Sequence, residues 1–406
     1  MARNISVGID IGTYQIKVVV AEKIKDGEKI IPRVIGTGYA ESKGLRHGYI
    51  INSQDVVKSI SSAVKQAERT AGIQIKKAFM SVGGIGLSST TSVGSVVISR
   101  ADSEITDLDV ANVVKICEDE IPTAVSLNRK IIHTIPLAYK IDGKPVLGKP
   151  TGMKAMKLEA KTLFIMALEH HIDDLVEAAE EAGITIVDVM ASPIAGSLVT
   201  LSKTQKIAGC VLANIGAETV SIVVFENNVP ISLEVFPIGS TDITNDIALG
   251  LRIPLEEAEQ IKLGSLIGTT HPRKKLEEII SARLSDMFEL IEAHLKKIGR
   301  NGLLPAGIII TGGGSGLGTI EDFAKSALRI PSRIGAIMLE NGNNKPEIKD
   351  STWSVALGLA IFGFNSDSTG DLDIGFKGFK DFTKITKRTG NEVFRFASGW
   401  IKKILP

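Results

Sequence analysis

Three short segments carry the residue types that phosphate chemistry uses. The first is Asp10, Gly12, Thr13 and Lys17. A Gly-containing turn between strands lets backbone N–H groups approach a phosphate closely, and the Thr13 hydroxyl adds a donor. Asp10 at a strand end can hold the waters of Mg2+, an ion that takes few carboxylates and keeps much of its hydration. Lys17 can reach a phosphate as a point charge. The second segment, Asn214-Ile215-Gly216-Ala217-Glu218-Thr219, repeats the first and can clamp the same phosphates from the other side. The third is Thr311-Gly312-Gly313-Gly314-Ser315, directly after an apolar run. Three glycines at a strand end allow a flat group, such as a nucleobase or a ribose, to lie on the backbone. Alone, each reads equally well as an ordinary turn. All three in this order and spacing are much harder to reach by chance.

Elements must position them. The first turn lies between strands predicted over residues 5–9 and 16–21, a hairpin, with a third strand over 33–39. Ser53 or Asn52 caps a helix running to residue 71, with Val56, Val57, Ile60, Ala63, Val64 and Ala67 on one face and Gly72 as its stop. A strand over 79–82 closes on Gly83-Gly84. Residues 85–168 change texture: a Ser/Thr/Val-rich strand pair, a helix over 107–119, then strands over 130–141 and 160–167, a small α+β insert. A helix to residue 181 and a strand over 184–190 follow. Asp10-Ile11-Gly12 with Val19-Val20 then aligns with Asn214-Ile215-Gly216 with Val223-Val224, at a constant offset of 204 residues. Repetition on that scale implies a duplicated domain, not a solenoid. Residues 237–251 read as a loop and helix start. Residues 255–300 are helical, with Leu276, Ile279, Ile280, Leu284, Met287, Leu290, Ile291 and Leu295 as a core stripe. A strand over 307–311, a helix over 320–328, a short strand over 333–337 and a packed helix over 352–364 complete the body.

The chain has 406 residues, with 47 Lys+Arg against 46 Asp+Glu. Its 44% hydrophobic and 23% charged content excludes global disorder. Its length suits two or three domains of about 150 residues, or one bilobal fold. Cys117 and Cys210 are far apart and have no Cys or His neighbour at metal spacing, which argues against a disulfide scaffold or zinc ribbon and for buried thiols. There is no apolar signal segment and no run near the roughly 20 apolar residues that span a bilayer, so the expectation is a cytoplasmic protein. Charge is uneven: residues 374–406 carry eight basic side chains and two acids, a net of +6, on a body of −5. Residues 365–391 are polar and rich in Gly, Asp and Lys, as in a flexible linker. Beyond them, Val393, Phe394, Phe396, Ala397, Trp400, Ile401, Ile404 and Leu405 fall on one half of a helical wheel, with Arg395, Lys402 and Lys403 on the other. That pattern suits an anionic membrane surface, where each Lys or Arg adds about 1 kcal/mol. The other reading is a helix docked on its own body or on a partner.

The three segments resemble the phosphate 1, phosphate 2 and adenosine motifs of the actin/Hsp70/sugar-kinase superfamily. Within it, the chain resembles the FtsA family of bacterial cell-division proteins. The resemblance runs over residues 5–406. It includes GLRHGYIIN (44–52), QAERTAG before residue 73, FMSVGG (79–84), HTIPLAYKIDG (133–143), EEAEQIKLG (256–264), the ITGGG turn and the basic C-terminus. It implies an α/β, bilobal actin-like (ribonuclease H-like, duplicated) fold with a 1C insert, a linker and a C-terminal amphipathic helix. Subdomain 1A would comprise residues 1–84, 169–198 and 345–364, and 1C residues 85–168. Subdomain 2A would comprise 199–243 and 305–344, and 2B 244–304. The linker would be 365–390 and the membrane helix 391–406. ATP and Mg2+ would meet Asp10 (the metal residue), Gly12, Thr13 and Lys17, then Asn214, Gly216 and Thr219. Glu259, Lys262, Gly312, Gly313 and Gly314 would lie on the adenosine side. Arg283 would meet the C-terminal peptide of the tubulin-like protein FtsZ. Phe394, Arg395, Phe396, Trp400, Ile401, Lys402, Lys403, Ile404 and Leu405 would hold the chain at the cytoplasmic face of the membrane. Self-assembly into filaments and contacts with other divisome proteins, but none with nucleic acid, are implied as well.

One departure matters. The family's second turn usually begins Asp-Ile/Leu-Gly-Gly-Gly-Thr. Here Asn214 lacks the carboxylate, Ala217 narrows backbone approach, and Glu218 would repel phosphate if it pointed inward. This weakens hydrolysis more than binding, since cleavage needs an oriented water and in-line charge stabilisation. No catalytic base stands out, so the expectation is a weak ATPase at most. Two other readings stay open: a small-molecule kinase of the superfamily, and a PilM-like pilus scaffold.

Overall fold

The computed structural model describes residues 4–26, 29–264, 273–338 and 348–366. The chain opens with β1 (Ile5–Ile11), β2 (Gln15–Asp26) and β3 (Lys29–Glu41). Their Ile and Val runs suit a sheet buried on both faces: Ile9, Ile16, Val18, Val19 and Val20 are fully buried. A small hairpin, β4 (Leu45–Arg46) and β5 (Tyr49–Ile50), precedes helix α1 (Ser53–Ala71). The Asn52 side chain accepts the Asp55 N–H, and Gly72 ends the helix at φ 67°. Helix α1 lies flat on β3 at Gly38, where a Cβ would come 2.0 Å from the Ala63 carbonyl oxygen. Strand β6 (Lys77–Val82) completes this part.

The insert comprises β7 (Ser88–Val97), α2 (Asp107–Asp119), α3 (Thr123–Ser126), β8 (Arg129–Ile141), β9 (Lys144–Val146) and β10 (Lys157–Leu168). The strand pair expected at its start is one long strand. β7 pairs with β10 without a break from Lys157↔Val97 to Met166↔Ser88, which leaves no residues for a turn. The chain then continues through α4 (Glu169–Glu181), β11 (Thr185–Ala191), α5 (Ser192–Thr200) and α6 (Lys203–Ala208). The second half begins with β12 (Cys210–Ile215), β13 (Val220–Glu226) and β14 (Val229–Phe236). Helices α7 (Ser240–Leu251), α8 (Leu255–Lys262) and α9 (Arg273–Lys297) follow, then β15 (Ile308–Thr311), α10 (Ile320–Leu328) and β16 (Ser332–Ile334). A 3-10 turn, Ser351–Trp353, leads into α11 (Ser354–Ser366).

The first main sheet has the order β3-β2-β1-β6-β11 and the second β14-β13-β12-β15-β16. Each is an antiparallel three-strand meander extended by two parallel strands. The 204-residue repeat in the sequence is therefore a repeat of sheet topology. The insert forms its own sheet, β7-β10-β8-β9, around a separate core that includes Cys117, Phe164 and Leu158. Both cysteines are free and buried, as expected. The largest core runs from the first sheet through α5 to Leu212, Val223 and Phe225 of the second. The other face of the second sheet packs against α7, α9 and α10. Of the α9 stripe, Leu284, Met287, Ile291 and Leu295 are fully buried, whereas Leu290 stays partly exposed.

Candidate functional site

The first turn is built on a cross-strand pair. Asp10 and Lys17 are register partners, so both side chains stand on one face of the hairpin. Beside them on β6, the Ser81 hydroxyl donates to Asp10 Oδ1 at 2.8 Å and accepts the Ile11 N–H at 3.3 Å. Burial pushes the Asp10 carboxyl above the usual carboxylate range, against the opposing effects of the Ser81 donor and the Lys17 charge. Burial likewise pushes the Lys17 ammonium down, against the charges of Asp10 and Asp350. Lys17 Nζ donates to the Thr352 carbonyl at 2.9 Å and sits 5.5 Å from the Trp353 ring centroid. It is thus engaged at the entrance to α11, rather than free to follow a phosphate. Gly12 and Thr13 occupy the partly exposed turn itself.

The second turn is braced from two directions. Within it, the Gly216 N–H donates to the Thr219 carbonyl at 2.8 Å. At the start of α7, the Ser240 and Thr241 N–H groups donate to the Gly216 and Ala217 carbonyls at 2.9 and 2.8 Å. From the first half of the chain, the His47 N–H donates to Glu218 Oε2 at 2.5 Å, and His47 Nδ1 lies 3.2 Å from the Glu218 carbonyl oxygen. The Glu218 carboxylate is therefore held by a backbone donor.

The glycine-rich strand end packs on this turn. At Gly312, φ is 86° and a Cβ would lie 2.3 Å from Asn214 Oδ1. At Gly314 a Cβ would lie 2.4 Å from Ile215 Cγ2. Gly313 is different: it is exposed, and a Cβ there would meet nothing within 4 Å. Two glycines are required by packing, and the third presents open backbone.

Lys262 reaches the same place from behind. Its buried Nζ contacts Glu259 Oε2 at 2.7 Å, Thr244 Oγ1 at 2.9 Å and the Ser240 carbonyl at 3.1 Å. Ser240 in turn holds Gly216. Arg283 stands apart, clamped on Asp246 at 2.6 and 3.0 Å and on Asp286 at 3.2 Å along the α7–α9 seam. Residues 391–406, with the whole expected membrane helix, lie outside the described residues, as do nearly all of 365–390.

An unbroken contact path joins the two turns. Asp10 touches Ser81, which stands two residues before Gly83. Gly48 packs on Gly84, where a Cβ on Gly48 would come 2.3 Å from the Gly84 Cα, and His47 meets Glu218. Ser81, His47 and Ser240 escaped sequence reasoning. The signals present were Ser81 ahead of Gly83-Gly84 and His47 between Gly44 and Gly48. The residues fit a nucleotide with Mg2+: Asp10 is desolvated yet not sealed, and Gly313 offers open backbone. Among the described residues no three His, Cys, Asp or Glu side chains cluster as a metal site. The ion's remaining positions would fall to nucleotide oxygens and water.

Two copies of one sheet, each headed by a glycine turn and joined at the His47–Glu218 contact, define an actin-like bilobal protein. The PilM–PilN type IV pilus biogenesis complex matches with a TM-score of 0.64 at 18% identity, over 88% of this chain and 98% of that one. MreB5 of Spiroplasma citri bound to ADP matches with a TM-score of 0.50 at 12% identity, over 89% and 97%. At such identities the likeness speaks for the fold. The particular family comes from sequence. "Cell division protein FtsA" of Borreliella burgdorferi is 30% identical over 427 aligned residues, covering 99% of both chains. The family model "Cell division protein FtsA" matches residues 211–358, and "SHS2 domain inserted in FTSA" matches residues 84–166. The chain belongs to the FtsA family of cell-division proteins.

Proposed function

We propose that this chain binds ATP with Mg2+ between its lobes, polymerises on the inner face of the cell membrane and tethers FtsZ filaments there. The observation that carries the nucleotide part is the contact path from Asp10 through Ser81, Gly84 and His47 to the second turn, with Gly313 open beside it. In this reading Asp10 orients Mg2+ through water. Gly12, Thr13, Gly216 and Thr219 offer donors to the phosphates, and Gly313 receives the nucleoside. Glu259 and Lys262 support the second turn through Ser240. Lys17 acts through its charge beside Asp10. Asn214 in place of a carboxylate leaves at most a slow ATPase. Arg283 belongs to the surface offered to the FtsZ C-terminal peptide, and other divisome proteins join the assembly.

The membrane part rests on the sequence of residues 391–406. A short basic amphipathic helix binds an anionic surface reversibly, but many copies on one filament bind with avidity. Assembly then sets attachment, giving a peripheral protein on the cytoplasmic face. The decisive experiment is vesicle co-pelleting with ATP and Mg2+, followed by electron microscopy. The expected result is that the full chain pellets with filaments on its vesicles, while residues 1–390 and Trp400→Glu remain in the supernatant. Equal behaviour of all three would remove the tether from the reading.

A further inference from the structure

The Glu218 carboxylate lies in the turn that would cradle phosphate, where a negative side chain works against an anionic ligand. Among the described residues, the donor to that charge is the N–H of His47. That donor is anchored in the opposite lobe. His47 lies in the β4–β5 turn at φ 49°, between Gly44 and Gly48 at φ 79° and 90°. Its carbonyl accepts the Ile85 N–H at 3.2 Å, and the close Gly48–Gly84 contact pins the same turn to the end of β6. The ring adds a second bond. Because the Glu218 carbonyl oxygen can only accept, His47 Nδ1 at 3.2 Å must carry the hydrogen. One residue thus fixes both the carboxylate and the backbone of Glu218.

We infer that His47 is a positioning residue for the nucleotide site: by clasping Glu218 from the other lobe, it keeps that carboxylate turned off the phosphates. The inference rests on the nucleotide reading above. An untethered Glu218 would sweep the turn and meet the phosphates as a like charge, and the repulsion would be screened by salt. Glu218 replaced by a neutral residue makes the clasp dispensable.

The test is equilibrium binding of a ribose-labelled fluorescent ATP with Mg2+, followed by anisotropy on the full chain. His47→Gly keeps the backbone N–H but removes the ring's bond to the Glu218 carbonyl and frees the backbone that aims that N–H at the carboxylate, whereas His47→Asn tolerates the positive φ and restores a side-chain donor. His47→Gly is expected to weaken binding about tenfold at low salt, with the loss shrinking as ionic strength rises. His47→Asn recovers most of it. In the Glu218→Gln background, His47→Gly changes affinity less than twofold, the non-additivity expected of a contacting pair. Melting temperatures show whether each variant is folded. Tighter binding by His47→Gly would mean that the clasp opposes the nucleotide, and an undiminished tenfold loss in the Glu218→Gln background would mean that Glu218's charge is not involved. Either overturns the inference while leaving the nucleotide reading intact. If neither the unmodified chain nor Glu218→Gln binds, the nucleotide reading itself fails, and this inference with it.

Discussion

Gly312 and Gly313 are adjacent and chemically identical, yet they answer to different constraints. Gly312 sits at φ 86° with Asn214 Oδ1 2.3 Å from any Cβ. An alanine there would strain the backbone and wedge the strand end off the second turn. Gly312→Ala should cost about 2 kcal/mol or more of stability, read by chemical denaturation, and at least tenfold in nucleotide affinity. Gly313→Ala meets nothing within 4 Å, so stability should hold within about 0.5 kcal/mol while nucleotide binding weakens. Equal damage to stability from both would show that Gly313 is merely structural. Asn214 touches the same spot, and aspartate is nearly its isostere. Asn214→Asp should therefore fold normally and raise Mg2+-dependent phosphate release several-fold. A brisk unmodified ATPase that the substitution fails to raise would remove the assigned role of Asn214. At this scale the sequence showed where glycine was needed, because turn glycines leave a composition signal. It did not show which glycines face solvent. Nor did it show that Lys17 would be engaged by Thr352, since that partner lies 335 residues away.

Helix α5 packs against strands of both sheets, and α11 packs on α5 and on the first sheet. At Gly358, on α11, a Cβ would fall 1.9 Å from the Ala195 carbonyl on α5. The same helix rests on β1 at Gly8, where a Cβ would fall 2.1 Å from the Ala356 carbonyl. Helix α11 thus touches α5 and β1 backbone to backbone and has nowhere to retreat. Gly358→Ala should destabilise by about 2–3 kcal/mol. Because α5 belongs to the core shared by both sheets, the loss should appear in one transition, seen alike by near-UV and far-UV circular dichroism. Two separated transitions would mean that the sheets do not depend on this crossing. The small-residue character of α11 was readable over residues 352–364, and α1 from its 3.6-residue period and caps. Helix α5 was not, because Pro193, Ile194, Ala195, Gly196 and Val199 are buried all round and leave no polar face to mark a period. Strand β14 was missed for another reason. Its turn is Asn227-Asn228, both at positive φ, a hairpin signal carried by asparagine rather than glycine.

Across the whole molecule, neutral histidines join elements that are distant in sequence. His133 Nε2, on the insert's β8, accepts the Ala191 N–H of β11 at 3.1 Å. His294, on α9, lies 2.7 Å from the Ser232 hydroxyl of β14 and 3.7 Å from Glu234. Burial pushes His133 down to about 3 and His294 to about 4, and lowers His171 as well. In the unfolded chain each histidine titrates near 6.5. Below that pH the unfolded state takes up protons that the native state refuses, so stability is full above about 6.5 and falls as the solution is acidified toward 4. Each such group costs up to about 1.4 kcal/mol per pH unit in that window. Burial also raises the carboxyls of Asp10, Glu118 and Glu234, which opposes the trend above the ordinary carboxylate range. Between pH 7 and 5.5 the histidine contribution should lower the melting temperature by several degrees. His294→Gln keeps a polar group opposite Ser232 without an ionisable ring, and should reduce that slope even if it lowers stability at pH 7. A melting temperature independent of pH over this range, or an unchanged slope in the variant, would show that these imidazoles open to solvent easily and do not bind the sheets together.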